Sequence, residues 1–85
     1  MGSLAYTQEE AFAKAMEQMG LIGITDSLSD GEESEPNQVI NNEYCYFANT
    51  EFMTSEGMPR VNQIYIGSIS LNVYSVNGDY MLTLE

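Results

Sequence analysis

Asn77-Gly78 stands between two runs in which apolar and polar residues alternate, "ISLNVYSV" and "DYMLTL". A primed two-residue turn needs positive φ at its centre, which Asn and Gly accept, so this dipeptide is the strongest short hairpin signal that a sequence offers. A two-residue loop here predicts Val76 opposite Asp79, Val73 opposite Leu82 and Leu71 opposite Leu84. Upstream, Gly67-Ser68 offers a second two-residue turn with Gly first, which predicts Ile66 opposite Ile69 and Ile64 opposite Leu71. Both registers put Ile64, Ile66, Ile69, Leu71, Val73, Tyr80, Leu82 and Leu84 on one face. The opposite face then carries Gln63, Tyr65, Ser70, Asn72, Tyr74, Met81 and Thr83. A slip of one residue would turn every one of these side chains over. Two independent turns therefore agree on an antiparallel meander of about 61–66, 69–76 and 79–84.

An apolar sheet face needs a cover, and the N-terminal segment supplies one. Thr7 and Glu10 have the S/T-x-x-E spacing of a capping box, in which each side chain takes the other residue's backbone N–H. Glu9 and Glu10 also favour the positive start of a helix. Ala11, Phe12, Ala15, Met16 and Met19 then recur at spacings of three and four, an apolar stripe down one side. Gly20 is placed to stop the helix and Leu21 to fold back onto its last turn, so the helix is predicted over about 8–19. "LIGIT", 21–25, reads as a short buried strand or an extended entry. "NQVINNEYCYFANTEFMT" is rich in β-branched and aromatic residues and reads as strand, with a bend near Ala48–Thr50. "SEGMPR", 55–60, reads as a loop. The expected fold class is α+β, with an N-terminal helix packed on one face of an antiparallel β-sheet. That sheet is the C-terminal three-stranded meander plus one or two earlier strands.

The chain has 85 residues, the length of one small domain spanning 1–85, in which 1–6 form a lead or a tag remnant. Hydrophobic residues make up 44%, with six Tyr and three Phe, too apolar for a disordered acidic tail. No apolar run reaches the length of a membrane span or a signal-peptide core. The one cysteine, Cys45, cannot form an internal disulfide, which fits a reducing, cytoplasmic setting. It lies in the apolar alternation "EYCYF" without a nearby cation, so a buried structural thiol is expected.

Charge constrains the partner. Thirteen Asp and Glu face only Lys14 and Arg60, with no His, for a net charge of −11. Such a chain repels phosphates, so direct binding to nucleic acid or an anionic membrane is not expected, while its field steers it toward basic surfaces. The plain alternative is that the charge serves solubility alone. Without His there is no His-based triad or general base, no glycine-rich loop cradles a phosphate, and 85 residues leave little room for a carboxylate-lined hydrolytic cleft. A non-enzymatic protein is expected.

The carboxylates crowd most densely in "DSLSDGEESEP", 26–36, which reads as an acidic loop. It begins like a calcium loop, with Asp26, Asp30 and Gly31 at positions 1, 5 and 6. Position 3 is then Leu28 and position 12 is Asn37, so two required ligands are missing and an EF-hand is excluded. With no His and one Cys, zinc and iron also lack ligands, and no cofactor or metal is expected beyond loose cation binding. In an extended chain same-side residues recur every ~6.6 Å. Asp26, Asp30 and Glu32 would then share one side and Glu33 and Glu35 the other, a spacing of the order of a phosphate ladder. Two readings stand: a solvated linker, or a nucleic-acid mimic that occupies the groove of a basic protein. The spread of charge over helix, loop and sheet favours the mimic. Ser27 and Ser29 are each followed three residues later by an acid, as an acid-directed kinase requires.

Three pieces of the chain carry a family resemblance. "ITDSL", 24–28, resembles the acidic residue, serine and aliphatic segment on the first strand of the phage uracil-DNA glycosylase inhibitors, which are acidic DNA mimics of about this size. "EPNQVINN", 35–42, is similar to that family's second helix and its exit, and the Asn77-Gly78 hairpin to the one before its last strand. The resemblance implies that Asp26, Ser27 and Leu28 enter an enzyme's DNA groove with Glu33 and Glu35 nearby, and that an apolar cavity between sheet and helix takes up a side chain of the enzyme. Small acidic anti-CRISPR proteins and inhibitors of nucleoid proteins share the charge and size. The expected function is thus an acidic inhibitor that binds the nucleic-acid site of a basic protein through Asp26, Ser27, Leu28, Asp30, Glu32, Glu33 and Glu35. A reading of another class is a small structural or assembly subunit that uses a tyrosine-rich sheet face.

Overall fold

The computed structural model of the chain describes residues 5–21, 27–30 and 36–85. One helix, α1 (Gln8–Leu21), precedes six strands: β1 (Ser27–Asp30), β2 (Gln38–Ile40), β3 (Glu43–Met53), β4 (Pro59–Gly67), β5 (Asn72–Ser75) and β6 (Tyr80–Thr83). All pair antiparallel in one sheet of order β1-β3-β4-β5-β6, with β2 alongside β3. The fold is therefore α+β, a helix on an antiparallel sheet, with three strands before the meander in place of the one or two expected.

The capping box forms as its spacing requires. Glu10 Oε1 accepts the Thr7 N–H at 3.0 Å and Thr7 Oγ1 accepts the Glu10 N–H at 3.2 Å. The Thr7 backbone N–H, then the Thr7 hydroxyl, hold the Glu10 carboxyl below its ordinary value. The helix continues through Gly20 to Leu21 rather than ending at 19. Of "LIGIT", Leu21 is thus helical and 22–25 lie outside the described residues. Ala11, Ala15 and Met19 bury one helix stripe against Tyr46, Ala48, Ile64, Ile66, Leu71, Val73 and Leu84 of the sheet, with Phe12, Leu28, Tyr44 and Leu82 packed at the margin.

Ile64, Ile66, Leu71, Val73, Leu82 and Leu84 keep the predicted apolar face, but the turns differ. Val73 lies opposite Leu82 as expected, and Leu84 donates its N–H to the Leu71 carbonyl. The connection is not a primed two-residue turn, however. Ser75 pairs with Asp79 through the Ser75 N–H, and its carbonyl accepts the Gly78 N–H, so Val76 and Asn77 form the turn's centre and Gly78 follows at φ 89°. The Ser75 hydroxyl accepts the N–H of both Asn77 and Asp79, which stabilises this three-residue form. A register shift between Val73 and Tyr74 absorbs the extra residue and restores the Val73–Leu82 pair.

The Gly67-Ser68 turn is also replaced. Ile66 faces Val73 and Ile64 faces Ser75, and a longer turn through Ser68–Leu71 makes the connection. Relative to the predicted pairs (Ile66–Ile69, Ile64–Leu71) the register moves by four residues, an even number, so Ile64, Ile66 and Val73 keep their shared face. Ile69 falls in the turn and is exposed, and the register shift pairs Tyr80 with Tyr74, so Tyr80 leaves the predicted apolar face and stands exposed. Leu71 adopts φ 62° to bring the chain back.

The bend expected near Ala48–Thr50 is absent: β3 runs unbroken from Glu43 to Met53. The reversal occurs earlier, at Asn41 and Asn42, with φ of 52° and 63° and Ile40 opposite Glu43. Asn tolerates this left-handed region better than any other non-Gly residue, so Asn-Asn makes the primed turn here. At 54–58, Thr54 donates its N–H to the Met58 carbonyl, Gly57 donates to the Thr54 carbonyl, and the Thr54 hydroxyl accepts the Met58 N–H. This is the same build as Ser75–Asp79, with Gly57 at φ 80° in the place of Gly78.

Candidate functional site: the acidic strand and the sheet's outer face

Of the acidic stretch, Ser27–Asp30 is strand rather than loop. Leu28 pairs with Thr50 and Ser29 with Asn49 on β3, which places β1 at a sheet edge. Leu28 is half-buried and packs against the helix-side core, whereas Ser27 and Ser29 are exposed on the opposite face. Strand alternation therefore separates the expected contact residues: Leu28 is drawn inward while the two serines turn out. Asp26, Glu32, Glu33 and Glu35 lie outside the described residues, and of Asp30 only the backbone is described.

The serines open onto a polar cleft of about 330 Å³, lined also by Asn49, Glu51, Val61 and Gln63. Gln63 donates to the Asn49 side chain across β3 and β4 at 3.3 Å. A second cleft, of about 550 Å³, shares Thr50, Val61 and Gln63 with the first. It is lined by buried Met19 and Ile64 and by exposed Val61, Val76 and Met81, between the last turn of α1, β4 and the β5–β6 turn. Glu9, Glu10, Glu17, Glu51, Glu56, Asp79 and Glu85 are exposed, so described carboxylates lie on the helix, the sheet and the turns.

The tyrosine-rich face is largely closed. Tyr65 and Tyr74 are buried with Cys45 and Phe47, packed by Ile40. Phe47 and Tyr65 stack at 4.8 Å between ring centroids. Tyr80 is the exposed member, at 61%. Cys45 is fully buried, and burial, followed by the nearby Glu43 carboxylate, pushes its thiol up to about 11. The thiolate is therefore scarce at neutral pH, as expected of a structural cysteine.

Glu43 was not legible as a special residue. It is buried at the head of β3 without a cation beside it. Its Oε1 accepts the N–H of Ile69 at 3.0 Å and of Ser70 at 2.9 Å, and its Oε2 accepts the Ser70 hydroxyl at 2.6 Å and the Tyr74 hydroxyl at 3.3 Å. Burial pushes the carboxyl up, but the hydrogen bonds from Ser70, Ile69 and Tyr74 outweigh it and leave it below its ordinary value. Asn41 and Asn72 donate in turn to the Tyr74 hydroxyl oxygen. The arrangement is a carboxylate cradled by successive backbone N–H groups of a turn, and it holds the Ser68–Leu71 turn in place. The sole cue was an acid opening an apolar strand, "NNEYCYFAN", and its partner turn lies 26 residues away.

Among the described residues no group of three or more Cys, Asp or Glu side chains is placed to hold a metal ion, and no helix is long and apolar enough to cross a membrane. Comparison with known proteins finds no matching family model, no similar curated protein and no similar solved structure.

Proposed function

We propose that this chain is a non-enzymatic acidic binding protein that associates with a basic protein and competes with nucleic acid for its groove. The observation that carries the reading is a net charge of −11 on a chain whose described carboxylates, Glu43 apart, stand exposed on helix, strands and turns. A field of this kind accelerates encounter with basic surfaces and selects against phosphates. The similarity of "ITDSL" to the uracil-DNA glycosylase inhibitors supports such an enzyme as one target class, although strand β2 stands at 38–40 where the resemblance implies a second helix, and the charge and size support a CRISPR effector or a nucleoid protein. The cleft between α1 and the sheet is of the kind in which that family lodges a partner's side chain.

The test is competition. A basic protein captured by the chain should be released as salt rises, and should lose affinity for DNA or RNA when the chain is present. Neutralising Asp26, Glu32 and Glu33 to amides should raise the dissociation rate, while the same change at Glu9, Glu17 and Glu85 should chiefly slow association. A ternary complex of target, nucleic acid and this chain would sink the proposal.

A further inference from the structure

β4 is longer than its neighbour on the far side. β5 pairs with it only at Ile64–Ile66 and then turns away at Ser75. Residues 59–63 pair with β3 on one side. Among the described residues no strand pairs with them on the other side, and all five are exposed.

The backbone polarity of that open side follows from the ladder. Ser68 donates its N–H to the Tyr44 carbonyl, and in the β3–β4 register Tyr44 and Ser68 are opposite. Antiparallel ladders alternate, so the even residues of β4 turn N–H and C=O toward β3 and the odd ones turn them away. The Gly67 carbonyl agrees, since it bonds outward to the Leu71 N–H. The N–H and C=O of Val61 therefore face the open side, while those of Gln63 face Val76, which follows Ser75 in the β4–β5 register. Pro59, the next odd position, has no N–H to present, as suits a proline at a sheet edge. Beside these groups runs the cleft of about 550 Å³, with Met19, Ile64, Val76 and Met81 as apolar lining.

We propose that the outer edge of β4 at Val61–Gln63 is a strand-addition site, which takes an extended segment of a partner whose apolar side chains alternate with Lys or Arg. The outward N–H and C=O of Val61 and the neighbouring Pro59 carbonyl supply the ladder up to Gln63, and the cleft takes the apolar side chains. The basic character comes from charge complementarity and rests on the proposed function. Glu51 lies opposite Val61, Glu56 sits at the hairpin tip and Asp79 closes the turn that carries Val76, against Arg60 on β4 itself. A second copy of this chain is disfavoured because each copy carries −11.

The probe is a synthetic octapeptide of alternating Val and Lys, added to the isotope-labelled full chain and followed by amide NMR. The expected result is slowing of hydrogen exchange at the Val61 amide by about tenfold or more, with an alternating Val/Glu peptide inactive. Val61→Pro removes an outward N–H that the β3–β4 ladder does not use, so it should keep the fold and abolish peptide binding. Val76→Ser trims the cleft without touching the ladder and should weaken binding several-fold. The proposal is overturned if this amide is already protected in the unliganded chain, if the Val/Glu peptide binds equally, or if the perturbed amides lie elsewhere. A dimer that Val61→Pro dissolves would overturn it too, making a second copy the occupant. Failure here alongside intact nucleic-acid competition removes only this edge, whereas peptide binding without that competition removes only the mimicry.

Discussion

Glu43 offers the most quantitative test of how this small fold is held. Glu43→Gln keeps an acceptor oxygen for the Ile69 and Ser70 N–H groups but removes the charge. A charge-assisted bond is stronger than a neutral one by about 1 kcal/mol, so the two backbone bonds alone predict a loss of about 2 kcal/mol, before any contribution from the Ser70 and Tyr74 hydroxyls. For a domain of this size that is a fall in Tm of about 8–16 °C. Glu43→Ala strands both backbone donors, at about 1–3 kcal/mol each, for a loss of roughly 2–6 kcal/mol. A chain this long has only about 4–13 kcal/mol in total, so the alanine variant should be partly unfolded at room temperature. Thermal and urea melts followed by circular dichroism read both numbers. The pH dependence gives a separate check. The Glu43 carboxyl is lowered from 4.5 in the folded chain, so its contribution is complete above that value and is lost as pH falls through the lower folded value. The gap between wild type and Glu43→Gln should therefore be full at neutral pH and narrow below pH 4.5. Melts in which both variants stay within about 0.5 kcal/mol of wild type would refute the reasoning.

Gly57→Ala and Gly78→Ala each force a side chain into the left-handed region and should cost about 1 kcal/mol by the same melts. Gly67→Ala should cost more, because its Cβ would land on the Glu43 carboxylate and displace it. Cys45 should react slowly with thiol reagents in the native chain and rapidly in denaturant, given its burial and raised pKa. Ser68→Ala should leave Tm unchanged or raise it, since the Ser68 hydroxyl is buried without a hydrogen-bond partner among the described residues.

Local signals carried much of this fold. The Thr7–Glu10 box, the helix stripe and the two-residue period of the meander each rest on neighbours within a few positions, and each reappears in the structure. The turns were harder, because side chains chose between alternatives that the backbone alone permits. The Ser75 hydroxyl selected the three-residue form at Asn77-Gly78, and Glu43, far away in sequence, selected the long turn in place of Gly67-Ser68. Asn41-Asn42 is a local signal, masked by the β-branched and aromatic residues on both sides of it. Burial of Tyr65 and Tyr74 was not legible, since it depends on Phe47, Cys45 and Ile40 of earlier strands packing against them. For the site, the acidic stretch reads as a loop, so neither the strand at Ser27–Asp30 nor its edge position was legible, and nothing local marks β4 as outrunning β5.

The strand order also bears on how the chain finds its structure. β2 to β6 form a succession of hairpins, each pairing with the strand next to it in sequence, and only β1 reaches past a neighbour to pair with β3. Short loops close at little entropic cost, so the β3–β4 hairpin, paired from Cys45–Gly67 to Met53–Pro59, is the natural place for the folding nucleus. β1 must then close a longer loop onto an edge that is already formed. Rate measurements on core variants should accordingly give Ile64→Val a high φ-value and Leu28→Ala a value near zero. Equal slowing of folding by the two would place β1 in the nucleus instead. In the hairpin-first order, β1 is the last strand to be ordered and the first to be released, so the exposed Ser27 and Ser29 sit on the least committed part of the sheet.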